Sequence, residues 1–66
     1  MRVTVNGEVR ETAPGATVVA LLASLGIDSR KVAVEHNREI VPKSRYDRVV
    51  LAPGDALEVV QFVGGG

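Results

Sequence analysis

From Val18 onward the apolar residues Val18, Leu21, Leu22 and Leu25 fall at i, i+3, i+4 and i+7, which puts them on one face of a helix. Thr17 stands where an N-cap is needed. Gly26 follows as the left-handed residue that ends the helix, with Ile27 placed to pack back on the last turn. Ala20 occupies the position where a capping box would carry glutamate, so that box is half present. About two turns are too few for intrinsic propensity to hold them. A stripe this short needs a sheet to lie on.

The flanking segments supply that sheet. Arg2-Val3-Thr4-Val5 alternates polar and apolar, and Asn6-Gly7 is the strongest short hairpin signal because both residues tolerate positive φ. Glu8 to Thr12 is the expected return strand. A two-residue turn would pair Val5 with Glu8 and Val3 with Arg10, leaving Val9 on the face opposite the two valines. A bulge near Gly7 would bring it back. Both registers stay open at this point. Ala13-Pro14-Gly15-Ala16 then breaks the strand ahead of the helix.

Beyond the helix, Asp28-Ser29-Arg30 is a connection, and Lys31 to His36 places Val32 and Val34 in alternation with Ala33 and Glu35. Asn37-Arg38 is a second turn. Glu39-Ile40-Val41 is a short extended piece stopped by Pro42, which has no N–H to give a ladder. Lys43 to Arg48 is polar and irregular, with Tyr46 as its anchor; Lys43, Arg45 and Arg48 are expected on a solvated face. Val49-Val50-Leu51 is expected as another short strand, Pro53-Gly54-Asp55 as a turn, and Ala56 to Val63 as the closing strand. The expected class is α+β: a mixed four- to five-stranded sheet packed on one short helix. A hairpin followed by a helix across the sheet is the β-grasp arrangement, in which the first and last strands lie side by side in the centre.

Composition narrows the function. Sixty-six residues give one domain with a small core. Eight basic and eight acidic side chains balance to a formal net charge of zero, so the phosphate attraction behind nucleic-acid binding has no source. Tyr46 and Phe62 are the only aromatics, too few for a base-stacking platform. There is no cysteine, hence no disulfide, thiolate nucleophile or cysteine-based metal site. Met1 leads into a strand-like stretch without an apolar signal region, and no long apolar run follows. No secretory signal or membrane span is expected, and the cytoplasm is the expected compartment. His36 is the only histidine and has no serine or cysteine arranged with it as a triad. A solvated or structurally bonded His36 is the expectation.

The other constraint on function lies at Val63-Gly64-Gly65-Gly66, directly after the apolar run that ends in Phe62. Three glycines pack no core and order at high entropic cost. The expected organisation is a folded body over residues 1–62 and a flexible glycine-rich tail over 63–66. Extended, the tail reaches about 13–14 Å. It can enter a narrow slot because nothing projects from it.

The order and spacing of Val5-Asn6-Gly7, Thr17-Val18, Val32-Ala33-Val34-Glu35-His36-Asn37, Ile40-Val41-Pro42 and Phe62-Val63-Gly64-Gly65-Gly66 resemble the sulfur carriers of thiamine biosynthesis, a ubiquitin-like β-grasp family, over essentially the whole chain. The resemblance implies that the carboxylate of Gly66 is adenylated by an E1-like adenylyltransferase of the ThiF type, which uses ATP. A sulfur donor protein then supplies the sulfur of a thiocarboxylate, and a thiazole synthase of the ThiG type uses it to build the thiazole of thiamine. The chain itself is then a co-substrate rather than an enzyme, with no cofactor bound. Gly64 and Gly65 would enter the partners' active sites. Ala20 departs from the glutamate common in relatives, which touches helix capping and leaves the chemistry alone.

An ionised carboxylate, with an ordinary pKa of about 3.3–3.7, is a poor electrophile until a good leaving group replaces its oxygen. Glycine offers no β-carbon to hinder attack there. On the last strand, period two sets Leu57 and Val59 on one face and Glu58, Val60 and Phe62 on the other. With Leu57 and Val59 turned to the core, Val60, Phe62 and Val63 are expected as the docking patch beside the tail. Three other readings share these features: a carrier of molybdopterin or cysteine biosynthesis, a ubiquitin-like protein modifier, and a plain β-grasp binding module.

Overall fold

In the computed structural model, which describes residues 1–62, the chain opens with β1 (Arg2–Val5) and β2 (Glu8–Glu11), joined by a turn at Asn6-Gly7. Helix α1 (Val18–Ser24) follows, then β3 (Val32–His36), β4 (Glu39–Val41) and β5 (Ala56–Gln61). Single 3-10 turns lie at Ser29–Lys31 and Lys43–Arg45. The sheet order is β2-β1-β5-β3-β4, with β1 parallel to β5 and the other neighbours antiparallel. First and last strands therefore sit together in the centre under one helix. This is the β-grasp arrangement. Val63, Gly64, Gly65 and Gly66, expected as a flexible tail, lie outside the described residues.

The first hairpin adopts the plain two-residue register, Val5 opposite Glu8 and Val3 opposite Arg10, with no bulge. Asn6 and Gly7 both take positive φ, 52° and 82°, which matches the turn's twist to the strands. Val9 consequently points to the outer face and is 63% exposed. The core-side positions of β2 are Glu8 and Arg10, which pair with each other at 3.1 Å. Charged side chains facing inward on an edge strand discourage pairing with another chain.

Helix α1 forms where the apolar spacing places it. The Thr17 hydroxyl accepts the Ala20 N–H at 3.2 Å, supplying the N-cap. At the other end the Gly26 N–H bonds to the Ala23 carbonyl and the Ile27 N–H to the Leu22 carbonyl, a Schellman ending with Gly26 at φ 71°. Val18, Leu21 and Leu22 are completely buried against Val3, Val32, Val34 and Leu57 of the sheet. Burying each such leucine stabilises the fold by about 1.5–3 kcal/mol, which holds a helix too short to stand alone.

The segment 49–51 corrects the sequence expectation. It is not a strand of the sheet; a lone bridge pairs Val50 with Thr17. Val18 N–H bonds to the Val49 carbonyl and Leu51 N–H to the Ala16 carbonyl, so these residues clasp the helix entry instead. Leu51 is buried and Val50 exposed, which satisfies the alternation without a sheet neighbour. Tyr46 is the anchor of its segment, buried, with its hydroxyl donating to the Val32 carbonyl at 3.2 Å.

Candidate functional site

β5 brings the chain to the tail, and both its ends are tied down. Along it Leu57 is buried and Val59 half-buried, whereas Glu58, Val60 and Phe62 face outward. Val60 and Phe62 are 60% and 57% exposed, so neither completes the core. Two of the three expected docking residues, Val60 and Phe62, thus lie together on the outer face, at the end of the described chain. Val63, Gly64, Gly65 and Gly66 are the remaining expected site residues and fall outside the described part.

Phe62 is held from two directions. Its N–H donates to the Lys31 carbonyl at 2.9 Å, prolonging the β3–β5 ladder by one residue. Lys43 Nζ lies 4.8 Å from the centre of its ring and donates to the Arg30 carbonyl at 2.5 Å. A lysine over an aromatic face contributes about 0.5–1 kcal/mol when exposed. The outer face also carries Glu35 directly opposite Glu58, with Ile40 on the far side of Glu35 and 77% exposed. Facing like charges on adjacent strands repel, and neither glutamate has an ion-pair partner among the described residues.

At the start of β5 a polar cluster joins the β3–β4 turn to the preceding loop. His36 Nε2 lies 2.6 Å from Asp55 Oδ2. The Asn37 amide donates to Asp55 Oδ1 at 3.2 Å while its oxygen accepts the Ala56 N–H at 2.9 Å. Ala52 N–H also donates to Asp55 Oδ2, at 2.9 Å. Burial of the Asp55 carboxyl works to raise its pKa, but the bonds from Ala52, His36 and Asn37 prevail and hold it below the usual carboxylate value. His36 is therefore structurally bonded. No group of three or more His, Asp or Glu side chains among the described residues is placed to hold a metal ion.

At the other end Asn6 grips Val59. Its Oδ1 accepts the Val59 N–H at 2.7 Å and its Nδ2 donates to the Val59 carbonyl at 3.1 Å. The side-chain amide thus replaces one rung of the β1–β5 ladder where β1 turns away. Sequence reading missed both asparagine grips. The asparagines are visible as turn residues, but their partners lie 53 and 19 positions away.

The sequence model of the ThiS family matches residues 3–66. The chain belongs to the ThiS family. The ThiS family crystal structure of a thiamine biosynthesis protein from Geobacter metallireducens superimposes with a TM-score of 0.86 at 35% identity, covering all of both chains. A sulfur carrier protein ThiS of Bacillus subtilis is 48% identical over 50 residues, 76% of each chain. A thiazole synthase of Paramagnetospirillum magneticum is 58% identical over all 66 residues, and there the matched stretch is 20% of the relative. The chain thus spans about a fifth of the length of the thiazole synthases it matches. No helix among the described residues is long and apolar enough to cross a membrane.

Proposed function

We propose that this chain is a sulfur carrier of thiamine biosynthesis, a protein co-substrate that works through the main-chain carboxylate of Gly66. That carboxylate attacks the α-phosphate of ATP on an E1-like adenylyltransferase of the ThiF type, releasing pyrophosphate and leaving an acyl-adenylate. A persulfide on a donor protein attacks the acyl carbonyl and displaces AMP, giving an acyl disulfide. A thiol then attacks the donor's cysteine sulfur, forming a new disulfide with it and releasing the thiocarboxylate. Thiazole synthase of the ThiG type takes up that sulfur. The observation that carries the reading is the ThiS family match over residues 3–66. The thiazole synthase from Paramagnetospirillum magneticum, which contains a stretch resembling this one, favours that enzyme as the partner. The cytoplasm, where ATP is plentiful, is the compartment this chemistry suits.

In this reading Gly64 and Gly65 thread into the partners' active sites, and Val60, Phe62 and Val63 dock against them. The exposure of Val60 and Phe62 supports the docking role. Phe62→Ala is expected to raise the KM for adenylation roughly tenfold, since a buried interface aromatic is commonly a hot spot. Its unfolding midpoint is expected to stay near that of the parent; a large midpoint loss with unchanged KM would refute the docking role. The carrier role itself is tested by incubating the full chain with the activating enzyme and ATP. Intact-mass measurement should show AMP added at Gly66, and an oxygen-to-sulfur gain once a sulfur donor is supplied. Continued thiazole formation by a version lacking Gly66 would sink it.

A further inference from the structure

β5 ends with a rung that the fold leaves open. Val32 pairs with Gln61 and Lys31 accepts from the N–H of Phe62, so the alternation of an antiparallel ladder turns the Gln61 N–H and carbonyl away from β3, toward the side of β1. On that side β1 stops pairing at Val5 opposite Leu57, and Asn6 takes up Val59 before the chain turns off into β2. Neither main-chain group of Gln61 has a hydrogen-bond partner among the described residues. Beneath the same edge, on the helix side of the sheet, is a hollow of 190 Å³ lined by Val5, Asn6, Ile27, Val32, Val59 and Gln61.

We propose that this end of β5 receives an extended segment of the activating enzyme as an added strand, bonded to the Gln61 main chain and sending one aliphatic side chain into the hollow. The inference rests on the carrier role proposed above. The chain beyond the described residues singles out this occupant. Of Val63 to Gly66, only Val63 has a side chain, so an enzyme that draws in this tail must hold main-chain groups. Among the described residues, Gln61 offers the nearest main-chain donor and acceptor that are both without a partner, about 17 Å of extended chain from Gly66. An enzyme strand bound there runs alongside β5, the strand that leads into residues 63–66. In an added strand, alternate side chains face the helix side, where Val5, Ile27, Val32 and Val59 make the hollow apolar.

Amide exchange of the full chain, followed by NMR with and without saturating activating enzyme, tests this directly. In the free protein the Gln61 N–H should exchange as an exposed amide; in the complex it should slow roughly tenfold or more, as a strand hydrogen bond requires. A second arm compares Gln61→Pro with Gln61→Ala. Proline removes the free N–H but spares the bonds to β3, a placement strands tolerate. Its KM for adenylation should exceed that of Gln61→Ala, which keeps the N–H, by roughly three- to tenfold, the weight of one hydrogen bond. Unchanged exchange at Gln61 while Gly66 is adenylated normally would overturn the added strand alone, as would equal KM values in two folded variants. If Gln61→Pro does not fold, the exchange result decides. Failure of the unaltered chain to be adenylated would take down the carrier role and this inference together.

Discussion

Two turns in this molecule look alike and do different jobs. Asn6-Gly7 and Asn37-Arg38 each join an antiparallel pair with both residues at positive φ, and each begins with asparagine, at 52° and 50°. Each asparagine also reaches across to β5. Asn6 takes the N–H and carbonyl of Val59 near the end of that strand. Asn37 takes the Ala56 N–H at its beginning and adds a bond to Asp55, inside the cluster with His36. The central strand is thus pinned at both ends by amides that mimic peptide groups. The lesson is that a turn residue selected for its backbone angle can be spent a second time on its side chain.

If that account holds, the Asn37 end should matter more, because its loss strips the Asp55 carboxylate as well as the Ala56 N–H of a partner, whereas alanine in the left-handed region is equally strained at both positions. Asn37→Ala is expected to lower stability by about 2–3 kcal/mol, read from denaturant unfolding. Asn6→Ala should cost less, about 1–2 kcal/mol, and should speed amide exchange at Val59 more than at the strand's start. The reverse order would break the comparison. Arg38 differs from Gly7 in carrying a side chain at φ 71°, so Arg38→Gly should gain about 0.5–1 kcal/mol. A loss there would mean that the Arg38 side chain contributes something its turn position does not show.

The smallest effect concerns acid. Asp55 titrates below its ordinary value when folded. The unfolded chain therefore binds more protons in this range, and the contribution is full above the ordinary carboxylate pKa, about 3.9. It fades as pH falls through the lower, folded value. Unfolding midpoints between neutral pH and pH 3 should drop more steeply for the parent than for Asp55→Asn. Parallel slopes would remove Asp55 from the cluster's energetics.

Much of the architecture was legible in residue order. The helix could be placed because Val18, Leu21, Leu22 and Leu25 repeat at its period and Gly26 stops it; the first hairpin because Asn-Gly is specific to its turn. The outward setting of Val60 and Phe62 followed from period two once Leu57 was assigned to the core. Val49-Val50-Leu51 misled because three apolar β-formers look the same whether they join a sheet or clasp a helix entry. The register at Val9 stayed open since a valine facing outward contradicts the simplest pattern, and only the charged pair Glu8–Arg10 on the other face explains it. The asparagine grips, the His36–Asp55 pair and the open rung at Gln61 depend on where a distant strand passes, which no local pattern encodes.

The order β2-β1-β5-β3-β4 also has a mechanical side. A pull applied beyond Phe62 enters the sheet through its middle strand, so the load divides between the bonds to β1 and those to β3. Both sets run across the line of tension and must fail in shear, many at once, rather than unzip singly from an edge. A force entering along β5 therefore loads the body through its centre rather than peeling it from an edge.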